Sequence, residues 1–204
     1  MSAVRDAEAT RLKILEVTAD EMRRHGFKAT SLSEIISKAQ VSKGALYHHF
    51  SNKLELGYAV FEEIFVTENI AFWGEVLQQD DPLAGFCQHL EDIPNFMSDE
   101  DIECGCPVNS ISQEMSAEDE GFRKRTLAMY LRMQGLFLKA LETCDEQGLL
   151  KSDLNLTRCA LFFVSSLQGI SSIVKASRDR DTITELTLAL KDHVMGLRAN
   201  SVSS

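Results

Sequence analysis

The chain has 204 residues, of which 44% are hydrophobic and 25% are charged, a composition that excludes low-complexity and collagen-like chains and permits a sizeable core. Its net charge of −10 is unevenly distributed. Residues 1–53 hold nine Lys or Arg and six Asp or Glu, a net charge of +3, so the remainder carries −13. A basic end on an acidic body suits docking on DNA through one end, although chance unevenness also produces such a pattern.

The sequence has no recognisable feature that would direct the chain out of the cytoplasm. Met1 to Lys13 is charged and has no apolar run of the kind that forms a signal peptide. The most apolar later segment, Cys159 to Val174, is interrupted by four serines and flanked by Arg158 and Lys175, so we expect a buried helix and no membrane partner. Five cysteines, an odd number, predict reduced thiols in a cytoplasmic protein.

Two helices are predicted before residue 40. The first has one apolar face and ends at His25-Gly26, because glycine adopts a left-handed conformation easily. The second begins at Thr30 or Ser31, either of which can cap it, and Ser31 has capping-box spacing to Glu34. The apolar face of the first helix consists of Leu12, Leu15, Ala19 and Met22.

A tight turn and two further helices follow. The turn is Gln40-Val41-Ser42, and Ser42 is a suitable N-cap for a third helix over Lys43 to Phe50. Ser51 or Asn52 then caps a fourth helix, whose apolar residues recur at helical spacing toward Leu77.

The remainder of the chain is also helical by its periodicity. We expect helices over about 82–96, 104–115, 119–147, 156–176 and 182–197, a polar loop over 98–103, and disordered ends at 1–7 and 200–204. No segment shows the alternation typical of a strand. The sequence therefore predicts an all-α protein of about nine helices. We expect an N-terminal three-helix domain over 1–53 and a larger C-terminal helical domain over 54–204.

A helix-turn-helix is predicted over residues 30–53, because a capped helix, a tight turn and a second capped helix follow one another. The segment reads TSLSEIISKAQVSKGALYHHFSNK. Small residues let the second helix approach DNA, and Lys43 can reach a phosphate or a guanine edge. Tyr47 and His48 can donate to phosphate oxygens, although Tyr47 is also readable as a core aromatic. We expect DNA contacts from Thr30, Ser31, Ser42, Lys43, Gly44, Ala45, Tyr47, His48 and Lys53.

This pattern resembles the TetR family of bacterial regulators over about the first 60 residues. The resemblance is carried by the helix from Arg11 to Arg24, by His25-Gly26-Phe27, by Val41-Ser42-Lys43-Gly44 and by Leu46-Tyr47-His48-His49-Phe50. The family often has glycine where this chain has Gln40, which is tolerated if its φ stays negative. The resemblance implies an all-helical fold, with a helix-turn-helix DNA-binding domain over 1–53 and a ligand-binding and dimerisation domain over 54–204. It also implies a homodimer, operator DNA as partner and repression relieved by a ligand.

The segment after residue 60 offers large apolar side chains for a pocket between helices, although such residues are more often ordinary core. Cys106 joins them because it precedes Pro107, at a helix N-terminus that lowers a thiol pKa. The predicted ligand-binding residues are Phe61, Phe65, Phe86, Phe96, Cys106, Met129, Met133, Phe137 and Phe162.

The sequence around Cys106 also resembles a subgroup of the family with a Gly-Cys-Pro motif. Cys106 is a candidate target for an electrophile or oxidant, with Cys104 as a resolving thiol. Nearby acidic residues oppose thiolate formation, and a buried structural Cys106 beside an inert Cys104 is the alternative. The Cys-x-Cys spacing is not typical of a zinc site, so we expect no metal.

The last two helices carry the apolar residues for a two-fold interface. In the resembling family these helices pair with their mates as a four-helix bundle, which implies a homodimer. The alternative is that they bury only surface within the chain. The predicted interface residues are Leu161, Leu167, Ile170, Leu186, Leu190 and Val194.

These features predict a ligand-responsive DNA-binding transcriptional regulator: a repressor released from a palindromic operator by a small-molecule inducer or a thiol-reactive electrophile. No phosphate-binding glycine loop, HExxH or GxSxG motif occurs, so we expect neither an enzyme nor a cofactor. The alternative is a ligand-binding or interaction protein with a vestigial helix-turn-helix. The sequence does not distinguish repression from activation.

Overall fold

The computed structural model describes residues 2–199, with side chains from residue 6 onward. Helical segments account for nearly all of this part of the chain, and its one β contact is an isolated bridge between Leu150 and Arg198. The α-helices are α1 (Ser2–Ala29), α2 (Leu32–Ala39), α3 (Lys43–His49), α4 (Lys53–Val60), α5 (Thr67–Gly74), α6 (Pro82–Phe96), α7 (Asp99–Cys104), α8 (Pro107–Met115), α9 (Glu120–Glu146), α10 (Leu156–Ser177) and α11 (Arg180–Met195).

The predicted all-α fold is confirmed, with three local corrections. A π-helical segment, Phe61–Val66, joins α4 to α5, so the long fourth helix exists but is not uniformly α-helical. The predicted loop over 98–103 is wrong, because Ser98 and Asp101 form a capping box that starts α7. Disorder was also expected at 1–7, but α1 begins at Ser2; residue 1 and residues 200–204 lie outside the described part.

The described chain forms two compact units. The first comprises Met1–Asn69 and Pro107–Leu127, and the second comprises Ile70–Cys106 and Ala128–Ser204. The first unit therefore contains the helix-turn-helix together with α8 and the first turns of α9.

In the first unit, the body of α1 ends at Gly26, as predicted. Gly26 has φ +80° and ψ 171°, a conformation that side chains rarely adopt. Its α-carbon also faces the Glu114 carboxylate, which would lie 2.7 Å from an added Cβ. A buried acid on α1, Glu21, pairs with the Lys38 ammonium on α2 at 2.5 Å and ties the two helices together.

The turn between α2 and α3 is closed by backbone hydrogen bonds around Gln40. The Gln40 N–H donates to Ser37 O and the Val41 N–H donates to Ile36 O, both at 3.2 Å, which is a Schellman motif. Gln40 has φ +53° and ψ 41°, so the condition of a negative φ, stated above for a non-glycine residue here, is not met. The turn requires a left-handed residue, and here a glutamine adopts that conformation.

The predicted caps are confirmed at α3 and α4 but not at α2. The Ser42 hydroxyl accepts from the Ala45 N–H, and the Asn52 side chain accepts from the Glu55 N–H, both at 3.0 Å. Ser31 precedes α2 in an extended conformation without a side-chain cap, because its hydroxyl is bonded to that of Ser33. The Thr30 hydroxyl donates to Gly26 O at 2.7 Å.

The core of the second unit is an aromatic cluster contributed by four helices. Phe86 of α6, Phe137 of α9 and Phe163 of α10 contact one another at centroid distances of 5.0 to 5.7 Å. The Trp73 ring at the end of α5 lies 5.6 Å from that of Phe86. All four side chains are buried, so the cluster anchors α5, α6, α9 and α10 to one another.

Helix α10 has an unusually apolar exterior. It is the one helix in the described part that is long and apolar enough to cross a membrane, a test based on length and composition alone. Its side chains Leu161, Phe162 and Ile173 are 55%, 44% and 50% exposed. Exposed large apolar side chains on one helix are typical of a surface that is covered in the functional state.

Candidate DNA-binding interface and sensor core

Helix α3 presents a polar, basic face to solvent while its opposite face is buried. Leu46 and Phe50 are buried, together with Ile35 and Ala39 of α2, so they fix the orientation of α3. Exposed positions of α3 and its N-cap include Ser42, Lys43, Gly44, Tyr47 and His48. An α-helix held on its apolar side with this exposed face has the shape that enters a major groove.

Two side chains of the exposed face are close to each other. The Lys43 ammonium lies 5.9 Å from the centroid of the Tyr47 ring, whose side chain is 45% exposed. Exposure on this scale argues against Tyr47 as a core aromatic. Gly44 has only the Ser42 hydroxyl near the position of an added Cβ, at 3.8 Å, so the helix surface there is open.

Three other predicted DNA-binding residues are less accessible. Thr30 is buried, and Ser31 is half-buried at the start of α2. The Lys53 ammonium donates to Lys28 O at 2.9 Å and lies 4.7 Å from the centroid of the Phe27 ring, and burial lowers its pKa. In this structure Thr30 and Lys53 therefore hold the turn that precedes α2.

A cleft of about 420 Å³ opens beside α3, with Arg11, His48 and Ser51 among its lining residues. Arg11 is held there by two hydrogen bonds to the Glu63 carboxylate, at 2.6 and 2.7 Å. Desolvation, with the nearby His48 and Arg11, lowers the pKa of His49. The cleft extends the polar surface of the recognition helix.

Sequence reasoning missed the contacts that α8 and α9 make with this region. The Glu114 carboxylate accepts from the N–H groups of Phe27 and Lys28, at 2.8 and 2.7 Å. The Tyr58 hydroxyl donates to Asp119 at 2.6 Å, and burial together with this carboxylate raises the pKa of Tyr58 to about 12. Such pairs are separated by 60 to 90 residues, so no local pattern reveals them.

The predicted ligand-binding residues are divided between the two units. Phe61 and Phe65 are buried in the first unit, where the Phe61 ring lies 6.1 Å from that of Phe122. In the second unit, Phe86 and Phe137 belong to the aromatic cluster, whereas Phe96 is 49% exposed. The other predicted residues of the second unit are Met129 and Met133, which are buried, Cys106, which is partly exposed, and Phe162, which is 44% exposed.

The cluster residue on α10 is Phe163, not Phe162. Phe163 is completely buried, whereas the neighbouring Phe162 ring lies outside the cluster and contacts His193 at a centroid distance of 4.6 Å. Side chains of successive residues in a helix point about 100° apart, so only one of two adjacent phenylalanines faces the core. The sequence pattern does not show which one.

The five cysteines fall into two groups. Cys87 and Cys144 are buried, and burial raises their pKa values, that of Cys87 to about 11. The other three, Cys104, Cys106 and Cys159, are partly exposed. Cys106 directly precedes α8, as predicted, and its N–H donates to the Ser171 hydroxyl at 3.1 Å. Among the described residues, no three potential metal ligands come together.

The predicted dimer residues differ in accessibility. Leu161 is exposed, and Ile170 and Leu186 are half-buried. Leu190 and Val194 are buried within the chain and Leu167 nearly so, because they lie on the inward faces of α11 and α10. The exposed apolar residues of α10 and α11 that were not predicted for the interface are Phe162, Ile173, Leu188 and Met195.

A helix-turn-helix on an all-helical chain with a separate helical unit defines a DNA-binding regulator. The sequence profile of bacterial regulatory proteins of the tetR family matches residues 14–60, and that of the tetracyclin repressor-like C-terminal domain matches residues 82–190. The chain belongs to the TetR family of transcriptional regulators, whose members are soluble DNA-binding proteins that act as dimers and respond to small molecules.

Relatives and solved structures agree with this assignment. An uncharacterized HTH-type transcriptional regulator from Lactococcus lactis is 27% identical over 85% of this chain and 87% of its own length. The repressor DhaR of Mycobacterium sp. is 23% identical over 86% and 87%. The structure of reduced E. coli NemR aligns with a TM-score of 0.80 at 23% identity, covering 95% of this chain and 99% of NemR. A TetR-family regulator from Cytophaga hutchinsonii aligns with a TM-score of 0.83 at 20% identity, covering 96% and 98%.

Proposed function

We propose that this chain is a cytoplasmic homodimeric repressor that binds a palindromic operator through α3 and leaves it when a ligand or electrophile reaches the second unit. The observation that carries this proposal is the exposed face of α3, with Lys43, Tyr47 and His48 beside the small residue Gly44. Lys43, Tyr47 and His48 are exposed to solvent, so they are accessible for phosphate or base contact.

Each DNA-binding residue has a role that follows from its accessibility. Lys43, Tyr47 and His48 contact phosphates or base edges, while Ser42, Gly44 and Ala45 allow close approach. Ser31 lies where the N-terminus of α2 can face a phosphate. Thr30 and Lys53 position that helix through Gly26 O and Lys28 O.

The dimer interface is proposed on the exposed apolar face of α10 and α11. Burying an exposed Leu or Phe stabilises association because the hydrophobic effect scales with the apolar area removed from water. The interface consists of Leu161, Phe162, Ile170, Ile173, Leu186, Leu188 and Met195. A two-fold pair would place its recognition helices about 34–36 Å apart or at a multiple of one helical turn, as palindromic half-sites require.

Two triggers are proposed in the sensor. An apolar inducer binds among Phe86, Phe96, Met129, Met133 and Phe137 of the second unit. An electrophile alkylates Cys106, with Cys104 as the resolving thiol under oxidants. Partial exposure of both cysteines supports access to reagents. Either trigger releases DNA only if it favours the non-binding conformation over the binding one.

A fluorescence anisotropy titration with DNA from upstream of the protein's own gene, over a salt series, tests the regulator. We expect tight binding that resists unrelated competitor DNA and weakens steeply with salt, since phosphate contacts release counterions. Weak binding that is equal on unrelated DNA would instead favour a ligand-binding protein with a vestigial helix-turn-helix.

A further inference from the structure

His89 on α6 carries a ring nitrogen that has no hydrogen-bond partner in the described structure. Its Nε2 atom is buried, while the residue as a whole is half-buried. Buried polar atoms in proteins are nearly always hydrogen-bonded, so an unpartnered one calls for a partner from outside the chain, such as water or a ligand group. Desolvation lowers the pKa of His89, against the opposing effect of Asp92, so the imidazole is neutral at neutral pH.

Three aromatic rings surround this imidazole. The centroids of Phe72, Trp73 and Phe96 lie 4.6, 5.3 and 5.4 Å from that of His89. The Phe72 and Phe96 rings also contact each other at 5.8 Å. We call these four side chains, all within the second unit, the His89 cage.

One wall of the His89 cage faces solvent. Phe72 is 40% exposed and Phe96 is 49% exposed, whereas Trp73 is buried. Phe72 lies near the end of α5, and Phe96 is the last residue of α6. Aromatic side chains at helix ends can change rotamer with little rearrangement of the backbone, which gives a small molecule access to Nε2.

We propose that the His89 cage binds a neutral hydroxylated aromatic molecule, with its ring against Phe72 and Phe96 and its hydroxyl hydrogen-bonded to His89 Nε2. Aromatic rings favour edge-to-face contacts of the kind already present in the cage. A hydroxyl both donates and accepts, so it satisfies either tautomer of the imidazole. Asp92, one turn from His89 on the same helix, disfavours an anionic phenolate. The assignment of this molecule as inducer rests on the proposed function.

The chain's single tryptophan is part of the cage, so its fluorescence reports binding directly. We would titrate the full-length protein with p-cresol and with p-xylene, which replaces the hydroxyl by a methyl group, exciting where neither probe absorbs. The expected result is saturable binding of p-cresol and about tenfold weaker binding of p-xylene, the factor that one net hydrogen bond contributes.

Two variants locate the interaction. His89→Phe should abolish the preference for p-cresol over p-xylene, and Phe96→Ala should weaken both probes. Leu131→Ala, which removes another exposed apolar side chain of the second unit, should change neither affinity. Far-ultraviolet circular dichroism establishes that each variant is folded. If a variant does not fold, the comparison of p-cresol with p-xylene on the unaltered protein still tests the inference.

Several outcomes would overturn the inference. These are equal affinities for p-cresol and p-xylene, a preference that survives His89→Phe, or tighter binding of phenyltrimethylammonium, which would assign the cage to a cation. Repeating the operator titration with p-cresol separates this inference from the proposed function. Cresol binding with unchanged operator affinity would overturn the inducer role alone, whereas absent operator binding would contradict the regulator and leave hydroxyl recognition supported.

Discussion

The carboxylate of Glu114 caps the backbone N–H groups of Phe27 and Lys28, 87 and 86 residues earlier in the chain. These two N–H groups follow Gly26, at the turn that leads into α2 of the helix-turn-helix. Glu114 lies near the end of α8, and α8 starts at the residue after Cys106. A displacement of α8 therefore removes acceptors from the turn on which the orientation of α2 depends.

Glu114→Ala should lower both the free energy of unfolding and the affinity for operator DNA. Two charge-assisted hydrogen bonds are lost, and we expect a loss of stability of about 1–2 kcal/mol because the site is partly solvated. Urea unfolding and operator anisotropy measure the two effects. Glu118→Gln is the matched control, since Glu118 pairs with the Lys28 ammonium through side chains that are both more than half exposed. Equal losses in the two variants would argue against a specific role for Glu114.

Gln40→Gly should stabilise the protein. Gln40 occupies a left-handed conformation that a side chain disfavours by about 1–2 kcal/mol, and the greater freedom of glycine in the unfolded chain offsets part of the gain. We expect a net increase of about 0.5–1 kcal/mol in the free energy of unfolding, measured by urea denaturation. Gln40→Ala keeps the Cβ and should give no comparable increase. A gain in the alanine variant as large as that in the glycine variant would trace the effect to the glutamine side chain.

Lys43→Ala should weaken operator binding and reduce its salt dependence. Loss of one phosphate contact removes about one released counterion, so the slope of log affinity against log salt should fall by about 1. If Lys43 contacts a guanine instead, affinity falls without that change in slope, and discrimination at one base pair is relaxed. Lys139→Ala removes the same charge from an exposed position on α9 and should leave both quantities unchanged. If Lys43→Ala binds operator DNA with unaltered affinity at matched salt, the result would count against α3 as the recognition helix.

The sequence predicted the helices well because their determinants are local. Ser42, Asn52 and Gly26 fix helix ends through contacts within a few residues, and the apolar spacing of α3 fixes its buried face. The acidic run that forms α7 was misjudged, because its helix depends on one cap, Ser98.

The candidate site was harder to predict because it depends on helix phase and on distant pairs. Phe162 and Phe163 are adjacent in sequence, but only Phe163 faces the cluster. Leu190 and Val194 fit an apolar stripe, and only packing within the chain shows that the stripe faces inward. The His89 cage unites two residues near the end of α5 with His89 in the middle of α6 and Phe96 at the end of α6. The sequence pattern alone gave no reason to select His89.

The stability of the protein should decrease below about pH 6.5 through His89. Burial lowers the pKa of His89 in the folded protein below its ordinary value of 6.5, so the unfolded chain binds the extra proton more readily. The free energy of unfolding is therefore higher above pH 6.5. The contribution of the neutral His89 to it is lost as the pH falls from 6.5 toward the lowered pKa. Urea midpoints over this range should fall less steeply in His89→Phe than in the unaltered protein. Parallel pH profiles would show that the imidazole is not desolvated in solution.

Cys106→Ser should abolish the response of operator binding to N-ethylmaleimide. The reagent adds its alkene carbon to the thiolate sulfur, and the proton goes to the neighbouring carbon, so an accessible thiolate reacts first. Cys87 and Cys144 should react slowly, since burial raises their thiol pKa values. Cys159→Ser is the control because Cys159 is also partly exposed but lies near the start of α10, 12 residues before Ser171, the α10 residue that contacts Cys106. Mass spectrometry of the alkylated protein, alongside the anisotropy assay, relates the modified residue to DNA release.

Two results would contradict Cys106 as the trigger. A Cys106→Ser variant that still releases DNA on alkylation would assign the trigger to another thiol. Alkylation of Cys106 without DNA release would leave the apolar ligand as the sole inducer.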